Sequence, residues 1–401
     1  MSKIVVIGGG ASGIMAAIIA SINNEVTLLE ANEKCGKKIL LTGNGRCNYW
    51  NSDISIDKYN SDDIEVLNNI IDENLVKEVL NILNQLGICY KIKNGYYYPY
   101  SNQASSIRNL LLLALEKRNV KIITNFKVNQ IIKNNEKFLI KDDNQIIEAD
   151  KVILAAGSKA CPKSGSDGSS YKIISELGHC LTSITQALVQ LIGKDNCFRD
   201  WNGVRCESKI TLYIDDKKEI TDIGEIQLTD YGISGIVTFN ISGSASKALF
   251  EKRKVNCLIN FVPWIETNFY DWFTERNNKM IDHTIEQLLE SVIPYKLMHV
   301  ILKKAKIEKV DKWDKLTDNQ KEKLSSYIEE FPLEIIGTNS YDKAQICRGG
   351  VKLTEINPKT MESKLVPGLF FAGEVIDADA YTGGFNLQIA FSTANAAALY
   401  L

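Results

Sequence analysis

A chain of 401 residues is long for one hydrophobic core and implies two or three domains. With 45% apolar and 24% charged residues it has the composition of a soluble globular protein, and a formal net charge of −2 gives no footprint for nucleic acid or an anionic membrane as main partner. Nine scattered cysteines without a CxxC pair, and three histidines without a metal-type pairing, argue against a disulfide framework and against any metal site, and for reduced thiols in the cytoplasm.

The N-terminus, MSKIVVIGGGASGIMAAIIASIN, is a poor secretory signal, because three successive glycines would interrupt the signal helix. The densest apolar run, LLLLAL at 110–115, is far short of a membrane span. Residues 3–7 (KIVVI) read as an apolar strand, the run from Gly8 to Gly13 as a glycine turn, the following stretch to Asn23 as a helix, and 25–30 (EVTLLE) as a second strand ending in an acid. That is one βαβ unit. Next comes KCGKKILLTGNGRCN (34–48), where glycine and hydrogen-bond donors are denser than a solvated connector needs.

Helical apolar spacing covers 63–86, a further helix is expected over 105–118, and VKIIT follows as a strand. Short alternating runs at 125–132, 136–141 and 145–148 suggest a β-meander before VILAAG (152–157). From about 194 the texture changes: strands are expected over 208–213, 217–228, 235–242 and 255–262, and 266–330 is helical and lysine-rich. After 350 the α/β texture returns, with GLFFAGE and then GGFNLQIAFSTANAAALYL. The expected organisation is a nucleotide domain built from 1–193 and 349–401. Its insertion comprises a β domain (194–263, resumed over 331–348) and a helical segment (264–330).

Gly8-x-Gly10-x-x-Gly13 follows a strand, opens a helix and precedes Glu30 at the end of the next strand, which is the context a dinucleotide fingerprint requires. Gly8 permits the tight turn, Gly10 lets backbone approach a pyrophosphate, and Gly13 lets helix and strand pack closely. The helix N-terminus offers free N–H groups to phosphate, and Glu30 can accept from ribose hydroxyls. A second glycine turn near the C-terminus, preceded by Gly373-Glu374, returns the chain to the same domain, an arrangement suited to an extended flavin cofactor.

These motifs resemble the BaiN/YhiN-type family of FAD-dependent oxidoreductases, within the glutathione-reductase-like flavoproteins. The blocks that carry the resemblance are GKKILLTGNGRCN (36–48), YYPYSNQASSI (97–107) and GGVKLTEINPKTMESKLVPGLFFAGEVIDADAYTGGFNLQIA (349–390). The resemblance implies an α/β fold: a glutathione-reductase-like FAD-binding Rossmann domain with an inserted β domain and a small helical domain. It implies FAD contact by Gly8, Gly10, Ala11, Ser12, Gly13, Glu30 and Ala31, by Lys38, and by Thr42, Gly43, Asn44, Gly45, Arg46, Cys47 and Asn48. Val128 would meet the adenine edge, with Ala156, Gly157, Gly373 and Glu374 along the middle of the cofactor. Gly384, Phe385, Asn386, Leu387 and Gln388 would close on the isoalloxazine, where the helix N-terminus faces N1 and O2. Cys47 lacks a partner cysteine and is expected to pack against the cofactor.

The chain departs from the family pattern at KSGSDGSSY (163–171), at AQICR (344–348), and at GEIQLTDYGISG (224–235), which replaces a commoner Phe-Thr-His-x-Gly. Losing that histidine leaves Asp230 and Tyr231 as stand-ins for an acid, or the stretch as a plain turn. The expected activity is FAD-dependent reduction of a small organic substrate, with NAD(P)H as a transient donor because no second fingerprint exists. The sequence leaves open an oxidase acting on a small amine or alcohol with O2, an RNA-modifying flavoprotein, and a non-catalytic flavin-binding module. It leaves open the catalytic residue and the oligomeric state.

Overall fold

The computed structural model describes all 401 residues, the side chain of Asn74 apart. The chain divides into two compact units: Met1–Thr185 with Gln345–Leu401, and Gln186–Ala344.

The first unit is organised by a five-stranded parallel sheet in the order Leu369–Phe371, Lys151–Leu154, Lys3–Ile7, Glu25–Leu29, Lys121–Ile123. Ile4, Val5 and Val6 are all at most 2% exposed, as expected of a β-branched run buried on both faces. Each such side chain contributes roughly 1.5–3 kcal/mol of burial. The first helix, Ala11–Ala20, is buried nearly all round. It packs against the closing helix, Phe385–Leu399, which is also buried along almost its whole length. Small residues make that contact possible: Ala16, Ala17 and Ala20 on one helix, Ala394, Ala397 and Ala398 on the other. Strand order reverses beside Lys3–Ile7, and ligands of such sheets bind at the carboxyl ends of the strands next to the reversal. A three-stranded antiparallel meander (Gln130–Asn134, Lys137–Lys141, Ile146–Ala149) precedes Lys151–Leu154. The region expected to be one helix over 63–86 is two, Ile64–Ile70 and Glu73–Gln85, with Asp72 accepting from the Leu75 N–H at the break.

The second unit is a closed six-stranded antiparallel barrel in the order Leu191–Gly193, Gly232–Gly235, Lys217–Leu228, Arg205–Ile214, Val255–Asn260, Phe331–Thr338. Two corrections follow. Leu191–Gly193, grouped by sequence with the first domain, is a barrel strand, so the boundaries fall after Thr185 and after Ala344 rather than after 193 and 348. The expected strand at 235–242 is instead the start of a helix, Ile236–Phe250, opened by Gly235 at φ +101°. Its buried small residues, Ser242, Gly243, Ala245 and Ser246, let it lie close against the barrel strands. The helices Phe269–Lys279, Ile285–Leu289, Tyr295–Ala305 and Asp318–Glu329 share one apolar cluster with the barrel, so the lines at 263/264 and 330/331 separate no independent core. Among the described residues no helix is long and apolar enough to cross a membrane.

Candidate functional site

At the carboxyl end of the first strand the Gly8 N–H donates to Leu29 O at 2.8 Å, and the chain turns at φ +106°. A Cβ on Gly8 would fall 2.4 Å from Ala155 O, and one on Gly13 only 1.8 Å from Gly8 O, so both positions exclude a side chain. Gly10 differs: nothing lies within 4 Å of its Cβ position. It is the N-cap of the first helix and makes no side-chain cap, so the first-turn N–H groups face the same open space. Glu30, 8% exposed, accepts from Gly9 N at 2.7 Å and from Asn32 N and Nδ2 at 2.8 and 2.7 Å. The acid thus braces the turn and presents its remaining lone pairs beside it. Ala31 follows it in the chain. Val128 lies beyond Phe126, whose N–H donates to Glu30 O at 3.0 Å.

The glycine- and donor-rich loop, Ile39–Gly45, is a 3-10 turn broken by a kink at Thr42–Asn44, with Thr42 extended (ψ 141°) and Gly43, Asn44 and Gly45 at φ 56°, 54° and 81°. Bonds from Arg46 N to Gly43 O and from Cys47 N to Thr42 O close it. Lys38 pairs with Glu374 at 2.7 Å, and the other oxygen of Glu374 accepts from Ser158 Oγ and from Cys347 N at 3.0 Å. Glu374 therefore spends its carboxylate tying the loop to the segment after Leu369–Phe371. Beyond Ala156, Gly157 turns at φ +74°, and the Ser158 N–H donates to Ser166 Oγ, which in turn donates to Ser158 O. Cys47 is fully buried, and burial pushes its thiol up to about 11, so it is a protonated packing group at neutral pH.

At the other end, Gly384 sits at φ +100° with its Cβ position 2.5 Å from Trp50 O, and the closing helix starts there without a side-chain cap. Phe385 packs edge-on against Tyr59, with centroids 5.5 Å apart. Asn386 clamps the preceding strand, accepting from Ala380 N and donating to the carbonyls of Ala380 and Tyr381. Leu387 is half-buried, while Gln388 is fully buried and accepts from Tyr59 OH at 3.2 Å. Asn48 Oδ1 and Gln388 Nε2 are buried without a hydrogen-bond partner. An elongated anion with a polar ring system fits what is present. Two uncapped helix N-termini suit a pyrophosphate and an electron-rich ring edge. Open space at Gly10 and Gly45 gives backbone access, and two orphaned amide atoms await partners.

Several residues that complete this framework were not legible in the sequence. Asn51, 3% exposed, donates to Gly383 O at 2.9 Å; Thr393 Oγ1 accepts from Gly373 N at 2.9 Å; and Arg348 pairs with buried Asp379 through Nε and Nη2 at 3.1 and 3.3 Å. A threonine in an alanine-rich helix was the one available hint. Asp230 and Tyr231 occupy the turn in which Thr229 N donates to Gly232 O, between two barrel strands.

Asp377, 1% exposed, accepts from Asp62 N at 2.9 Å and Ser61 Oγ at 3.1 Å, and burial pushes its carboxyl from the usual 3.8 up to about 6. A raised acid stabilises the fold fully below about pH 3.8, and that contribution is lost as pH rises through about 6. Asp377→Asn, which keeps the acceptor, should therefore gain roughly 3 kcal/mol over the parent at pH 7 and little at pH 4. Urea midpoints of the two proteins at both pH values check this; an advantage independent of pH would refute it.

The chain matches the HI0933-like protein Rossmann domain family over residues 2–400. It is 38% identical to a 3-dehydro-bile acid delta(4,6)-reductase of Clostridium scindens, over 98% of this chain and 97% of that protein. It is 25% identical to a ribosomal RNA dihydrouridine synthase of Escherichia coli, over 98% of this chain and 96% of that one. With the glycine turns, the braced acid and the closing helix in place, the chain belongs to the HI0933-like family, the BaiN/YhiN-type FAD-dependent oxidoreductases that its motifs resemble.

Proposed function

We propose that the protein is an NAD(P)H-driven reductase of a conjugated C=C bond in a small organic acid, such as an unsaturated 3-dehydro bile acid. Full-length identity of 38% to a reductase of that substrate carries the proposal. FAD would be held at its pyrophosphate by the turn from Gly8 to Gly13, at its ribose by Glu30, and at its ring by the loop 42–48, the N–H groups of Gly384–Leu387 and the side chain of Gln388, whose N–H donates to Gly384 O. Because the side chains of Glu374, Phe385 and Asn386 are engaged within the protein, these residues would meet the cofactor through backbone. FAD bound there would supply hydride transfer between the donor and the substrate. The net reaction takes one proton from solvent or an acid, adds two hydrogens across the double bond and releases NAD(P)+. The chain's own part is to orient the ring, present donors to its edge and set a helix N-terminus against the charge that gathers there, an interaction of roughly 0.3–2 kcal/mol. Nine free thiols support a cytoplasmic setting.

Anaerobic mixing of the yellow protein with NADH and NADPH tests this: bleaching within seconds, recoloured by an added dienone acid, is expected. No bleaching by either donor, with peroxide formed from an amine or alcohol in air, would overturn it. Identity of 25% to RNA dihydrouridine synthases favours one second reading, reduction of a uracil base in RNA. A salt-sensitive gel shift with ribosomal RNA would carry that reading.

A further inference from the structure

The tyrosine-rich block begins in a short strand beside the donor-rich loop. Its strand Tyr96–Pro99 lies at the centre of a small antiparallel sheet, between Trp50–Asn51 and Tyr90–Lys93. Alternation sends Trp50 and Tyr97 inward, at 2% and 9% exposure. The cross-strand partners Asn51, Tyr96 and Lys93 share the opposite face with the pair Tyr98 and Lys91. Arg46, from the donor-rich loop, adds to this face, its guanidinium 5.8 Å from the centroid of the Tyr98 ring and its Nε donating to Gly43 O. The face abuts the second glycine turn: Asn51 Nδ2 donates to Gly383 O, and Tyr96 Cε1 lies 3.0 Å from the Gly383 Cβ position.

We infer that this face is the docking surface for the reduced nicotinamide dinucleotide, an inference that rests on the donor assigned above. Its chemistry is one-sided. Arg46, Lys91 and Lys93 bring three positive charges and no acid, and among the described residues none of the three stands within ion-pair distance of a carboxylate. Tyr96 and Tyr98 stand about 7 Å apart along the strand, giving two aromatic edges beside the cations. A pyrophosphate flanked by two flat heterocycles complements this pattern better than a monocarboxylate, whose single charge would meet only one of the cations. The chain carries a single glycine fingerprint, which the flavin's own pyrophosphate takes, so the donor needs a surface of another kind.

The test uses the FAD-loaded, full-length protein. In anaerobic stopped flow, the double variant Lys91→Glu/Lys93→Glu should raise the NADPH concentration for half-maximal flavin reduction about tenfold, with the limiting rate kept within about twofold. Lys91→Arg/Lys93→Arg should restore it, and salt should erase most of the difference between parent and Glu variant. Calorimetric titration with NADP+ should show the same loss of affinity, while the flavin absorbance spectrum stays that of the parent. An unchanged half-saturation in the Glu variant overturns the docking surface alone. So does an effect confined to the KM of the acid substrate, or a loss of RNA binding with normal NADPH kinetics. A parent flavin that neither nicotinamide bleaches overturns the donor assignment itself, which separates the two failures.

Discussion

Gly10→Asp protein should fold at least as well as the parent without cofactor, and should lose FAD. The Gly10 backbone is at φ −84° and ψ −170°, open to any residue, and its Cβ position meets nothing within 4 Å. Aspartate is a favoured N-cap and its charge complements a helix N-terminus, so stability of the FAD-free protein should hold or rise by about 0.5–1 kcal/mol. The same carboxylate would stand where a pyrophosphate must approach. Affinity for FAD should fall by about 100-fold or more, close to 3 kcal/mol. Gly13→Val should do the reverse in kind: its Cβ would overlap Gly8 O at 1.8 Å, so the first helix cannot seat on its strand and the fold itself suffers by about 3 kcal/mol or more. Urea unfolding of the FAD-free proteins followed by circular dichroism, beside flavin fluorescence titrations, separates the two. A Gly10→Asp protein that keeps its yellow colour through dialysis would show that the phosphates lie elsewhere.

Arg348→Met should destabilise the first unit by about 3–5 kcal/mol, because Asp379, 2% exposed, would keep its burial cost without the guanidinium that offsets it. Burial raises the Asp379 carboxyl, while Arg348 and, to a smaller extent, the Asn60 side chain that donates to it at 3.2 Å pull it back down, so the effects are opposed in the parent. Replacing both, as Arg348→Met/Asp379→Asn, should recover most of the loss. Chemical denaturation of the single and double variants measures the coupling, and additive losses would mean the pair carries no interaction of its own.

What the sequence made legible follows the range of the interactions. The first βαβ unit is local, so its strand, glycine turn and acid could be placed from spacing alone, and Gly8, Gly13 and Glu30 lie at the turn as expected. The second turn was legible because Gly383-Gly384 opens a long apolar stretch. The misread strand at 235–242 has a physical cause: Ile236, Val237, Thr238 and Phe239 favour strands by side-chain shape. Gly235 ends the strand before them, and the small residues that follow let a helix pack where a sheet could not. The β-meander was placed early at 125 because Lys127 and Val128 alternate like a strand. Asn125, at φ 58°, breaks the chain there, and Phe126 bonds to Glu30 O instead. Asn51, Thr393 and the Arg348–Asp379 pair were illegible because each acts across many residues of sequence, and no local pattern marks such a partner.

The nucleotide-binding unit takes its last strand and closing helix from residues that follow the barrel in the chain. On the ribosome, a nascent polypeptide therefore exposes the fingerprint turn long before the helix that completes the pocket has been synthesised. Assembly of the unit has to wait until Phe385–Leu399 has been synthesised, and a product stopped before it would carry the first glycine turn without the helix that packs beside it. Such fragments would leave apolar surface on the first helix uncovered, making them clients for chaperones or proteases rather than weak enzymes.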